Sequence, residues 1–190
     1  MSKVVWKGGA LLAPLPPAMV SVGDEKQHNI ITIAWTGMLS TIPPKTYISV
    51  RPKRHSHKIL LEKREFVINL TPASLIHAAD FCGIYTGAKV DKFEKCGLHP
   101  SSASAVSCPL IAECPLNIEC RVTDVISMGS HDMFIADIVA VDVDENLIDS
   151  NGKLNLKQAG LAAFAHGEYF ELGKKIGNFG FSVKKKKKRK

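Results

Sequence analysis

The sequence predicts a mainly β fold, an antiparallel barrel or sandwich with helices at its periphery. Three observations predict it. Short segments rich in β-branched and aromatic residues recur along the chain at strand length, most of them bounded by Gly, Pro or Asn. The intervals between them are often too short for crossover helices, which argues against a βαβ repeat. Only a few segments carry a helical rhythm instead.

In chain order, "AMVSVG" (18–23) and "NIITIAW" (29–35) read as the first two strands. A turn through Gly37 and the Pro43-Pro44 pair leads into "KTYISV" (45–50). "SHKILLEKR" (56–64) reads as a helix with Ser56 as its N-cap. The strand "EFVINL" (65–70) follows, then a helix over "SLIHAADFCGIY" (74–85), where Leu75, Ile76, Ala79 and Cys82 keep a helical spacing. "KVDKFEKCG" (89–97) reads as a short helix ending at Gly97. Two long strands, "NIECRVTDVISM" (117–128) and "DMFIADIVAVDV" (132–143), pair as a hairpin around Gly129 and Ser130, which places His131 beside the turn. The closing stretch, "LKQAGLAAFAHGEYFELGKKIGNFGF", reads as a partly helical, then Gly- and aromatic-rich arm that packs over the body. Residues 1–183 are expected to form one domain and 184–190 a disordered basic tail.

The chain has 190 residues, enough for a sizeable core at 45% hydrophobic content. Its net charge of +7 is concentrated in "KKKKKRK" at 184–190, which accounts for seven of the 25 basic residues. The remaining 18 Lys and Arg balance 18 Asp and Glu, so the expectation is no specific nucleic-acid partner beyond weak, salt-sensitive contact by the tail. No run of eighteen apolar residues is present, and the N-terminal stretch is broken by Gly and Pro where a signal peptide needs an unbroken apolar core. A cytoplasmic protein without a membrane partner is expected. Five cysteines with no C-x-x-C pair argue against both a disulfide framework and a zinc knuckle, so no metal is expected.

Chemistry concentrates between residues 29 and 60. Arg51, Lys53, Arg54, His55, Ser56 and His57 lie just before "KILLEKR". Free backbone N–H groups at a helix start, a hydroxyl and guanidinium groups make an anion seat without a glycine-rich loop. The same residues also read as a solvated turn. Upstream, "AWTGMLSTIPP" sets Trp35 beside small or flexible residues, where backbone can approach a flat ligand; Trp35 alone also reads as a core aromatic.

The order "NIITIAWTGMLSTIPPKTYISVRPKRHSHKIL", "EFVINL", "AADFCGIYTGAKVDKF" and "GSHDMFIADIVAV" resembles the flavin reductase-like, flavoredoxin-type FMN-binding proteins, from Pro17 to Phe181. The resemblance implies a Greek-key split β-barrel, usually a homodimer, with FMN in a cleft near the subunit interface. It sets the isoalloxazine against Trp35, Thr36, Gly37, Met38, Leu39 and Ser40, with Asn29 nearby. It assigns the phosphate to Arg54 and Ser56 with His55 at that corner, supported by Lys92 and Lys89. His131 then lies close to the flavin, and Phe164 falls in the arm that covers the ring. At His55 and His57 the chain departs from a Tyr common in such proteins, which touches the stacking at this corner and not the anion seat.

The implied activity is that of an FMN-dependent oxidoreductase, moving electrons from NAD(P)H or a protein donor to free flavin or a redox partner, with no catalytic acid or base assigned. The alternative is a flavin carrier without catalysis. No G-x-G-x-x-G follows a strand, so a nicotinamide donor is expected to bind transiently over the flavin.

Overall fold

The computed structural model describes residues 1–183. The basic run 184–190, expected above as a tail, lies outside the described residues.

The strands in chain order are β1 (Ala18–Gly23), β2 (His28–Ile33), β3 (Thr36–Thr41), β4 (Pro44–Val50), β5 (Glu65–Asn69), β6 (Pro100–Ser101), β7 (Leu110–Ile111), β8 (Leu116–Ser127), β9 (Asp132–Val143), β10 (Ala162–Ala165) and β11 (Glu168–Glu171). The helices are α1 (His55–Lys63), α2 (Ile76–Ile84) and α3 (Lys92–Cys96). Seven strands form one sheet in the order β2-β1-β5-β8-β9-β4-β3, and each pairing within it is antiparallel.

That order makes the sheet curl. β2 and β3 lie at opposite edges, yet only Ala34 and Trp35 separate them in sequence. The three peptide steps from Ile33 to Thr36 span at most about 11 Å. The two edges must therefore meet, which rolls the sheet into a barrel whose seam is crossed at Trp35. The β2 and β3 edges are not paired to each other, so the barrel is split along this seam.

Period-two alternation sorts the strand residues between two cores. Val20, Ile31, Phe66 and Phe134 face the barrel interior, where Ile59 and Leu60 of α1 close one end. Met19 and Ile30 point outward into a second core with Ala79, Cys82 and Phe93 of α2 and α3. The α1 helix ends at Arg64, whose left-handed φ of 57° turns the chain directly into β5. At the start of α1, His57 donates through Nε2 to the Asp132 carboxylate at 2.7 Å, tying the helix to the first residue of β9. On the outer face, the buried Glu119 carboxylate of β8 accepts from the N–H groups of Ser104, Ala105 and Val106 and from the Ser104 hydroxyl, pinning that loop to the barrel. No helix among the described residues is long and apolar enough to cross a membrane.

Three local readings are corrected or refined. The stretch after Trp35 is an edge strand and not a turn: Gly37 pairs with Tyr47 and Thr36 with Ile48, and a bulge falls between Met38 and Ser40. Pairing with β4 overrides the turn chemistry of Gly37. The arm is helical only at its start, in a 3-10 turn over Leu156–Ala159, and continues as a β hairpin in which His166 and Gly167 adopt positive φ (50° and 89°) and form a two-residue turn between β10 and β11. Finally, the N-cap of α1 is Arg54, and Ser56 lies inside the first turn.

Candidate functional site

Two concavities, with no lining residue in common, are lined by expected site residues. The smaller, about 90 Å³, is lined by Asn29 and Ile31 of β2, by Lys53, Arg54, His55 and Ser56, and by Tyr85, Thr86, Gly87 and Lys92. Its floor is a polar pair: Asn29 Nδ2 donates to Ser56 Oγ at 2.8 Å, with both residues buried. The Ser56 O–H is thereby left to donate into the pocket. The His57 N–H donates to the carbonyl of the N-cap Arg54 at 3.0 Å, which leaves the N–H groups of His55 and Ser56 at the start of α1, where the positive end of the helix dipole adds to them.

The wall opposite α1 is the loop after α2. A Cβ on Gly87 would stand 2.1 Å from Asn29 Oδ1, so only glycine lets this loop close over the carboxamide. Lys92 sits behind it, 3% exposed, with its ammonium donating to the carbonyls of Ile30 (2.6 Å) and Cys82 (2.7 Å). Burial pulls the Lys92 ammonium down to about 8, and the nearby Arg54 guanidinium pulls the same way. Among the described residues no carboxylate lines the pocket, whereas Lys53, Arg54 and Lys92 do. A compact group with several acceptor oxygens fits this donor set, and a fused ring system does not fit the volume.

The larger concavity, about 360 Å³, opens on the outer face of β4 and β9. Trp35, Tyr47, His131 and Met133 line it, and Leu12 and Leu15 of the N-terminal segment cover it. The Trp35 ring, 41% exposed, lies 4.7 Å from that of His131 between centroids, tilted by 37°. Arg51 Nε donates to His131 Nε2 at 3.3 Å. The imidazole proton is therefore on Nδ1, which donates to Ser130 Oγ at 2.9 Å. Burial and the Arg51 charge lower the His131 pKa, which keeps the ring neutral. The turn from Arg51 to Arg54, closed by the Arg54 N–H on the Arg51 carbonyl at 2.9 Å, connects this cleft to the anion pocket.

The expected site residues are distributed as follows. Asn29, Arg54, His55, Ser56 and Lys92 line the small pocket, and Trp35 and His131 line the cleft. Thr36 donates its hydroxyl to the Tyr47 carbonyl at 2.6 Å, and Gly37 backs onto the Tyr47 ring. Met38 and Leu39 are exposed on the free edge of β3, with Ser40 beyond the bulge. Lys89 is exposed and lines neither concavity. Phe164 lines neither as well; its backbone pairs with Leu15, and its ring rests against Tyr169. Sequence reasoning missed Gly87, Tyr47 and the Leu12 cover. Gly87 stands in "YTGAK", where a glycine after a helix was the available signal; the other two depend on long-range packing.

The chain is similar to proteins of known fold and family. A family model described as the flavin reductase like domain matches residues 12–173. An uncharacterised protein of Archaeoglobus fulgidus is 31% identical over 153 residues, covering 80% of this chain and 86% of its own. Among solved structures, the flavoredoxin of Desulfovibrio vulgaris (Miyazaki F) superposes with a TM-score of 0.89 at 27% identity, over 96% of this chain and 100% of that one. An FMN-binding protein from Thermus thermophilus, solved with bound 1-cyclohex-2-enone, gives a TM-score of 0.77 at 25% identity over 94% and 99% of the two chains. The split barrel, the basic pocket at the start of α1 and a family match that spans most of the sequence lead to one assignment: the chain belongs to the flavin reductase-like family, a flavoprotein oxidoreductase of mainly β, split-barrel fold.

Proposed function

We propose that the flavin is FMN, with its phosphate in the Asn29–Ser56–Arg54 pocket and its ring along the seam between Trp35 and Ser40. The single observation that carries this reading is the carboxylate-free pocket at the start of α1, where a buried serine hydroxyl, helix N–H groups and Arg54 converge. Similarity to a flavoredoxin and to an FMN-binding protein supports FMN as the cofactor. When bound, FMN supplies hydride acceptance and single-electron release.

The chain's own residues then bind, orient and shield. Arg54 and Ser56 hold the phosphate, and Asn29 fixes the serine rotamer. The free edge of β3 presents backbone donors and acceptors to a ring edge. Trp35 and the Leu12–Leu15 cover exclude water on the cleft side, and neutral His131 offers no charge to a ring that gains electrons. Electrons enter from NAD(P)H or a redox protein and leave to free flavin or a protein partner. Exposed Met38, Leu39 and Ile42 on β3 and its turn, with Met128 near the cleft, support a homodimer, as does the family resemblance. We assign the protein to the cytoplasm.

Anaerobic mixing of the FMN-loaded protein with NADH or NADPH tests the enzymatic part. Bleaching of the flavin absorbance within seconds is expected with one of them. Absence of reduction by both, with FMN bound at one per chain, would replace the nicotinamide donor by a redox protein or make the chain a carrier.

A further inference from the structure

Five cysteines are free, and two of them touch. Cys82 Sγ of α2 and Cys96 Sγ of α3 lie 3.9 Å apart, at sulfur–sulfur contact. Cys82 is fully buried, whereas Cys96 is partly exposed. The segment they bracket contains the whole outer wall of the anion pocket: Tyr85, Thr86, Gly87 and Lys92 all fall between them. Lys92 is coupled to the pair directly, because its ammonium donates to the carbonyl of Cys82 itself.

We propose that Cys82 and Cys96 form a reversible disulfide that staples this wall and tightens the grip on the flavin phosphate. The consequence for flavin rests on the FMN reading above; the disulfide does not. A disulfide requires an S–S distance of about 2.05 Å. The two sulfurs must therefore close from their 3.9 Å contact to that length.

With a peroxide as oxidant the chemistry balances in two steps. The accessible Cys96 thiol attacks the O–O bond, giving a sulfenic acid and releasing one water. The Cys82 thiol then attacks the Cys96 sulfur, forming the S–S bond while the sulfenic hydroxyl leaves with the thiol proton as a second water. Two electrons pass from the sulfurs to the peroxide. Burial raises the pKa of both thiols, so the pair reacts slowly and answers sustained oxidation and not brief exposure.

The closed loop runs from Cys82 to Cys96 and includes the pocket wall. Ordering it before binding removes part of the cost of binding. The test treats the FMN-loaded full chain with hydrogen peroxide, alkylates free thiols and maps peptides by mass. The expected result is a crosslinked Cys82–Cys96 peptide, reversed by dithiothreitol, with a Tm raised by roughly 5–10 °C. FMN affinity should rise about three- to tenfold in the oxidised form and riboflavin affinity should not. Cys96→Ser should abolish both changes, and Cys114→Ser, in the same core, should leave them intact.

Failure to recover the crosslinked peptide while Cys96 is over-oxidised or unmodified would overturn the disulfide. A crosslink with equal FMN affinity in both forms would overturn its effect on the wall. A crosslink in a protein that binds no FMN at all would leave the disulfide standing and refute the FMN reading instead.

Discussion

Replacing Arg54 and Ser56 together by alanine separates phosphate recognition from everything else in the site. The Arg54 side chain is exposed, so its charge-assisted bond belongs at the lower end of the range, about 1.5 kcal/mol. The Ser56 hydroxyl donating to a phosphate oxygen is worth about the same. Together they amount to about 3 kcal/mol, or roughly a 150-fold weaker Kd for FMN. Ser56→Ala also strips Asn29 Nδ2 of its 2.8 Å partner in a position only 5% exposed, which costs the fold about 1–3 kcal/mol. The titration is therefore run well below the Tm of the double variant, with flavin fluorescence as the readout and riboflavin alongside. Riboflavin carries the same ring without the phosphate and should change less than about threefold, the scale of a few tenths of a kcal/mol. An FMN Kd within twofold of the parent, or equal losses for FMN and riboflavin, would show that the phosphate does not sit at the start of α1.

Other outcomes follow from the same geometry. Gly87→Ala should weaken FMN binding and lower Tm together, because its Cβ would meet Asn29 Oδ1 at 2.1 Å; unchanged affinity would mean the loop is not a working wall. FMN affinity should fall as pH rises through about 8, where Lys92 loses its proton, while riboflavin affinity stays flat across the same range. Burial and the facing Glu119 push Asp142 up to about 6 from an ordinary 3.8, so the folded state holds a proton that the unfolded state releases. Stability from this group is full below about 4 and is lost as pH rises to about 6. Asp142→Asn should accordingly raise Tm at pH 7 and leave it unchanged at pH 4, and equal shifts at both pH values would remove the carboxyl pair from the account. Trp35→Phe should shift bound-FMN absorbance and relieve fluorescence quenching if the indole borders the ring; an unchanged spectrum with full occupancy would detach Trp35 from the flavin.

Much of this architecture is legible in the residue pattern, and the exceptions share a cause. Strands such as β1 and β5 follow their β-branched runs, and α1 to α3 form within the segments that read as helices, because local preference and tertiary environment agree there. They disagree at β3, where Gly37 signals a turn yet pairing with β4 holds the chain extended. They disagree again at β10, where "LAAFA" favours helix by composition but pairs across the His166–Gly167 turn. In the site, the basic run ahead of α1 and Asn29 are readable because charge and helix signals sit side by side in the sequence. The Asn29–Ser56 bond spans 27 positions and the Lys92 contact with Ile30 spans 62, so no local pattern encodes them. The Lys92 ammonium thus turned out to face backbone carbonyls, and the Glu119 carboxylate of β8 to face the loop 104–106.

The most direct measurement is a reconstitution. The protein is stripped of flavin, titrated with FMN in the presence of excess riboflavin, separated from free flavin, and heated to release what it holds for chromatography. FMN recovered at one per chain, with riboflavin nearly absent, is the predicted result. Recovery of riboflavin and FMN in the proportion supplied, or of neither, would contradict a flavin phosphate held at the start of α1.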